Sequence, residues 1–209
     1  MKNFSLKSVL SLFTFIAVLS GCSKKDVAPQ QPEAAVTTQD AVVTSYMVKG
    51  YLFVRLPGPF NLGHTGVGYE VREMSGTKVS RTYTYCGGVE GYASLPVIPR
   101  GVNNGGWNQF GYTNNATMLR TMRAPYGYTA YKFERAFRTV TLAQIHRAEG
   151  IINGFAARGY NVSGNNCMNA SYEVLQALGA PGMAWPLTNW APKDQYSRTV
   201  NGWSGSNSL

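Results

Sequence analysis

Cys167 is the residue best placed for covalent chemistry, in the run Asn165-Asn166-Cys167-Met168-Asn169-Ala170-Ser171. Asn166 is a strong helix N-cap, which puts Cys167 at the first helical position. Val174, Leu175 and Leu178 continue as an apolar stripe, Gly179 stops the helix and Pro181 prevents its continuation. A thiol there lies beside unpaired backbone N–H groups and the positive end of the helix dipole. Both favour the thiolate, which is the reactive form. A thiolate that attacks a carbonyl carbon needs an imidazole to take and return a proton. The chain holds two histidines. His146 falls mid-helix on the edge of an apolar stripe, as a boundary side chain does. His64 opens a strand in Gly63-His64-Thr65-Gly66, where small neighbours leave room for a substrate or a second backbone, and it is the candidate base. Two histidines without a Cys-x-x-Cys pair make no zinc cluster, and no phosphate-binding glycine motif is present. No metal or cofactor is expected.

Strands come first and helices later among the elements that must bring His64 to Cys167. Tyr46 to Leu56 is β-rich and ends at Pro57-Gly58-Pro59. His64 to Arg72 predicts a strand, with Val67, Tyr69 and Val71 alternating with Gly66, Gly68 and Glu70. Ser75-Gly76 supplies a turn, and Lys78 to Cys86 predicts the hairpin partner, stopped by Gly87-Gly88. Residues 91–125 are rich in Gly, Asn and Pro and predict loops. Trp107, Phe110, Tyr112, Tyr126 and Tyr128 either line a cleft or pack as core. Tyr128 to Val140 predicts a strand with Tyr131, Phe133 and Phe137 on one face. Thr141 and Gln144 form a capping-box pattern ahead of a helix carrying Leu142, Ile145, Ala148, Ile152, Phe155 and Ala156, ending near Gly159. Segregated strands and helices predict an α+β domain over residues 46–202, with 203–209 as a loose C-terminal tail. Trp185, Trp190 and Trp203 follow the Cys167 helix and are expected to cover the domain's edge.

The chain's beginning indicates where it works. Lys2 and Lys7 precede the apolar run Val9 to Leu19, too short to span a bilayer comfortably, so residues 1–21 read as a signal peptide. Leu19-Ser20-Gly21-Cys22 resembles the bacterial lipobox, whose cysteine is lipidated and becomes the first residue of the mature protein. A membrane partner through that anchor and an extracytoplasmic location are therefore expected, the outer membrane ahead of the inner. Residues 22–45, with Pro29, Gln30, Gln31 and Pro32, read as the lipidated cysteine and a flexible tether. The whole chain carries +9; without Lys2 and Lys7 the mature 188 residues carry 17 basic and 10 acidic side chains, or +7. The basic residues are scattered, which reads as solubility charge and excludes a nucleic-acid signature. A monomer is expected.

His first on a strand, a hairpin ending in Gly87-Gly88, a strand running into a helix, and Tyr160-x-x-x-x-Asn165-Asn166-Cys167 opening another helix resemble the circularly permuted papain-like hydrolases. These include the permuted NlpC/P60 group of YiiX type, the lecithin–retinol acyltransferase-like enzymes and the PPPDE peptidases. His64-Thr65-Gly66-Val67 with Tyr85-Cys86-Gly87-Gly88 is most similar to the PPPDE pattern, and Tyr160 to Gly179 is similar to the nucleophile segment of all three. In ordinary papain-like enzymes the cysteine precedes the histidine, so the His-before-Cys order discriminates.

The resemblance implies a permuted papain-like fold and a thiol hydrolase that acts through a thioester. Cys167 is the nucleophile and His64 the base, and the Cys167 backbone N–H is an oxyanion donor. It also implies a third polar group beside the imidazole, although no His, Asn, Asp or Glu lies on Val79 to Tyr85, and the PPPDE resemblance allows a Cys-His dyad without one. Pairing the hairpin about Ser75-Gly76 points to residues 85–87, and so to Tyr85 or to Thr84, while Glu70 and Glu73 stand too far along their strand. Cys86 is either a disulfide partner of Cys167, an inert buried thiol, or a redox control on the nucleophile. The expected substrate is a peptide or amide of the cell wall. An acyl lipid is the second option, and a binding protein that keeps the cleft without the chemistry is the competing class.

Overall fold

β1 (Ser45–Arg55) is the strand around which the rest is arranged. It pairs antiparallel with β2 (His64–Ser75), residue for residue from Ser45↔Met74 to Arg55↔His64. β2 turns at Gly76 into β3 (Lys78–Gly88), and β5 (Trp107–Gly111) adds to the outer side of β3. On the other side of β1 lie β6 (Ala130–Phe133), β7 (Arg138–Val140) and β9 (Asn207–Ser208), giving a seven-stranded antiparallel sheet in the order β5-β3-β2-β1-β6-β9, with β7 also on β1. A second, two-stranded sheet joins β4 (Val97–Ile98) to β8 (Tyr160–Asn161). The structure is a computed structural model that describes residues 42–56, 62–92, 97–111, 114–183 and 191–209. The signal peptide 1–21, Cys22, the tether up to residue 41, Tyr112, Trp185 and Trp190 lie outside the described residues.

Alternation of side chains along the strands creates two cores. Leu52, Val54, Val67, Tyr69 and Val71 pack on one face with α2 (Leu142–Asn153) and α3 (Cys167–Ala177). Tyr51, Phe53 and Cys86 turn to the opposite face, under Met118 and Met122 of α1 (Asn115–Arg123). α3 is the most deeply set helix: Met168, Val174, Leu175 and Leu178 are fully buried. Burial of each such side chain contributes about 1.5–3 kcal/mol. α2 starts at the Thr141–Gln144 capping box that the sequence predicts and ends at Asn153, short of Gly159. The α+β class and the antiparallel sheet agree with expectation.

Three readings are corrected. Residues 91–125 are not all loop, because Asn114 caps α1 and accepts from the Thr117 N–H. Tyr128 to Val140 is not one strand: β6 and β7 both pair with β1, separated by Glu134, whose carboxylate accepts the Gly50 N–H at 2.6 Å and bonds Arg138 at 2.8 Å. Residues 203–209 are not a loose tail. Trp203 is 2 % exposed and donates its indole N–H to the Pro181 carbonyl at 3.1 Å, and β9 forms the sheet edge on β6. Among the described residues no helix is long and apolar enough to cross a membrane.

Candidate active site

The start of α3 fixes the nucleophile. The Asn166 carboxamide accepts from the backbone N–H groups of Met168 (2.9 Å) and Asn169 (3.1 Å), while the Asn169 side chain accepts from the Asn166 N–H (3.0 Å). This reciprocal cap occupies the second and third amides of the helix and leaves the first, on Cys167 itself, without an acceptor among the described residues. Arg158 holds the loop before it, bonding the Asn165 side-chain oxygen at 2.6 and 2.8 Å and Glu173 at 2.8 and 3.0 Å.

His64, at the first position of β2, is brought to Cys167 by the packing of α3 on that strand. Cys167 is 1 % and His64 4 % exposed. His64 Nε2 lies 3.2 Å from Glu90 Oε1. Glu90 is a hub: Oε1 also accepts the Trp107 indole N–H at 3.2 Å, and Oε2 accepts from Arg55 at 3.3 Å. Arg55 stands directly opposite His64 in the β1–β2 register.

Electrostatics act on both members of the pair. Burial by itself would push the Cys167 thiol up, but the His64 charge and hydrogen bond, helped by the Thr65 N–H and hydroxyl, outweigh it and hold the thiol below its ordinary value. Burial alone would push His64 down, yet the thiolate and Glu90 raise it to about 9. The same attraction acts on both partners, and it favours the thiolate of Cys167 and the imidazolium of His64 together. Glu90 is held below the usual carboxylate range: burial opposes its charge, and His64, Arg55 and Trp107 overcome that. Among the described residues the buried Thr65 Oγ1 has no hydrogen-bond partner.

Two tyrosines complete the surroundings. Tyr128 is fully buried; its hydroxyl donates to the Thr65 carbonyl at 3.3 Å, and its ring centre is 5.8 Å from that of His64. Gly66 and Gly88 make room for it, since a Cβ at either would come within 2.6 Å of the Tyr128 oxygen. The space beside His64 is thus filled by a side chain. Burial and the neighbouring Cys167 and Glu90 charges push the Tyr160 hydroxyl up, and its ring lies against Gly91.

Of the predicted site residues, Cys167 and His64 are brought together and Tyr85 is not. The β2–β3 register sets Tyr85 opposite Tyr69 and Thr84 opposite Glu70, and the Tyr85 ring stacks on Tyr69 and Phe110. Glu90 takes the place beside the imidazole. The ladder ends at Val67↔Gly87, and the same count carried three residues further sets Glu90 against His64; Glu90 could have been found by counting from the turn, since Ser75↔Lys78 points to residue 89 and the bulge at Glu73/Met74 adds one. Cys86 and Cys167 are both free thiols. Cys86 belongs to the apolar cluster with Phe53 and Met118, where burial pushes its thiol up to about 12. Trp107 and Tyr126 stack at 3.3 Å between ring centres beside Glu90, while Phe110 packs on Tyr83 and Tyr85. His146 is exposed on α2. Among the described residues no group of three His, Cys, Asp or Glu is arranged to hold a metal ion. Compared with known proteins, the chain matches no family model, no curated sequence and no solved structure.

Proposed function

We propose that this chain is a thiol hydrolase of the circularly permuted papain-like kind, held outside a bacterial cytoplasm by lipid on Cys22, the outer membrane ahead of the inner. Its substrate class is an amide or peptide bond of the cell wall. One observation carries the reading: a thiol at a capped helix N-terminus meets a histidine–glutamate pair supplied by β2 and the segment after β3, both of which precede it in the chain. Perturbed ionisable groups gathered in this way are a mark of functional sites.

The Cys167 thiolate adds to the carbonyl carbon, and the π electrons move onto oxygen. The Cys167 N–H and the Tyr160 hydroxyl are the donors available to that oxyanion. His64 gives its proton to the leaving amine as the C–N bond breaks, leaving a thioester. A water molecule then loses a proton to His64 and attacks the thioester, and the thiolate leaves as the acid product departs. Glu90 orients the ring and stabilises the imidazolium in both steps.

The test is incubation of the chain with cell-wall peptides and, separately, with phospholipid vesicles, read by mass spectrometry against Cys167→Ala. New amine-bearing fragments that need Cys167 support the amidase, and released fatty acid supports acyl transfer chemistry in its place. The low exposure of Cys167 and His64 favours the competing binding-protein reading. That reading prevails if both substrates stay intact while the chain retains cell-wall peptide.

A further inference from the structure

Arg55 is the one charged group at this site for which the proposed chemistry has no step. It lies on β1, directly across from His64, and the carboxylate it bonds belongs to Glu90, on the far side of His64. Arg55 therefore reaches from β1 past the start of β2 to the segment that follows β3. One guanidinium nitrogen donates to the Tyr126 carbonyl at 3.1 Å and the other to Glu90 Oε2 at 3.3 Å. Its carbon stands 6.0 Å from the centre of the Tyr128 ring. The two carboxylate oxygens are thus divided, with Oε1 serving His64 and Trp107 and Oε2 serving Arg55.

We propose that Arg55 is a positioning residue: it fixes Glu90 and takes up part of its charge, so that Glu90 orients His64 without locking the proton onto it. The inference rests on the hydrolase reading. A carboxylate that faces only an imidazolium holds its proton tightly, and an acid that must deliver that proton to a leaving amine is slowed by the grip. A second cation on the same carboxylate weakens the grip, by competition for the charge and by its own repulsion of the imidazolium. Trp107 keeps Oε1 turned to His64 whether or not Arg55 is present. Removal of Arg55 therefore strengthens the hold on the proton. If Arg55 only tied the loop down, its removal would loosen Glu90 and weaken that hold. The sign separates the two roles.

The groups facing the imidazole are Cys167 from α3, Glu90 after β3, Arg55 from β1 and Tyr128 from the segment before β6. Cys167 in turn faces Thr65 and Tyr160. Only Arg55 among these is a permanent cation, so its charge can be removed without altering the others' chemistry.

The experiment titrates the 15N ring shifts of the full-length chain in detergent, labelled at histidine. Two histidines give two sets of signals, and exposed His146 is the internal reference. Arg55→Met is expected to raise the His64 midpoint by about one pH unit, a tenfold tighter hold. Arg55→Lys, which keeps the charge, stays near wild type, and His146 does not move. Arg55→Gln removes the charge while keeping a donor for the Tyr126 carbonyl, and it decides the matter in the same way if Arg55→Met fails to fold. An unchanged or lowered His64 midpoint in the neutral variants overturns the proposal. Alkylation of Cys167 in wild type and His64→Ala is run alongside. If Cys167 reactivity ignores His64, the hydrolase reading fails by itself, and the shift caused by Arg55 is still read independently in the ring signals.

Discussion

Replacing Glu90 with Gln keeps an oxygen that can accept from His64 and Trp107 but removes the negative charge. Two unit charges about 4 Å apart interact by about 4 kcal/mol at an effective dielectric of about 20. Two features reduce that figure: the Glu90 side chain is 25 % exposed, and Arg55 shares its charge. Roughly 1.4 kcal/mol then remains, or about one pH unit on His64. A weaker imidazolium stabilises the Cys167 thiolate less, so the thiol midpoint rises in step. The assay is the rate of Cys167 alkylation by iodoacetamide from pH 4 to 9, followed by mass spectrometry. The low exposure of the sulfur slows both proteins alike, so the position of the acid limb is the readout. That limb is expected to move up by about one unit in Glu90→Gln, making the variant roughly tenfold slower on the limb itself. A profile that superimposes on wild type refutes the claim that Glu90 supports the pair electrostatically.

Gly88→Ala puts a methyl 2.6 Å from the Tyr128 oxygen, and overpacking of this kind costs about 1–3 kcal/mol in denaturant unfolding. Tyr128→Phe removes that oxygen, so the double variant is expected to lose less than the two single losses together; strict additivity would show that the clash lies elsewhere. Trp203→Ala is expected to cost about 3–5 kcal/mol, because the ring is buried, and a loss below ~1 kcal/mol would restore the picture of a loose tail. The buried ion pair also sets a pH window. His64, raised from 6.5 to about 9, contributes stability that is full below pH 6.5 and declines as pH rises through about 9. Cys167, lowered from 9.0, contributes stability that is full above pH 9 and declines as pH falls through its folded value. The two slopes oppose each other below pH 9, so the stability difference between wild type and a Cys167→Ala/His64→Ala double variant is expected to shrink in acid, as Cys167 takes up its proton. A difference that grows in acid, measured by denaturant melts, would mean that the pair does not form.

Local chemistry made the nucleophile and its helix readable. Asn166 needs only its next three residues to form a cap, and Thr141 with Gln144 does the same for α2. Those signals survive folding because nothing distant contributes to them. The third member of the site depends on a count across a hairpin, where an error of a few residues exchanges Glu90 for Tyr85. Two other misses are non-local in the same way. The interruption between β6 and β7 is set by Glu134 reaching the backbone of β1, and nothing within residues 128–140 announces it. β9 is a polar segment whose strand character comes from backbone pairing with β6, so composition is silent about it. α1 was hidden for a different reason: it buries only Met118 and Met122, one turn apart, too short a stripe to stand out amid Gly and Asn.

The cluster at the open end of β1, β2 and β3 is hard to account for by stability. His64 and Cys167 are almost wholly removed from water, and Glu90 and Arg55 are partly so. Desolvating such charges costs several kcal/mol per ion, and their mutual attraction repays this only when the geometry is good on every side. An apolar set of the same volume would hold the strand ends together at least as well. The surroundings are nevertheless built to hold these side chains in place. Gly66 and Gly88 give up side chains so that Tyr128 can fit beside His64, and Asn166 turns its side-chain oxygen to the helix start that carries the sulfur while its NH2 donates to the Val162 carbonyl. Each of these features lowers packing freedom at the same point of the fold, and each is explained if the thiolate–imidazolium pair is what the arrangement serves.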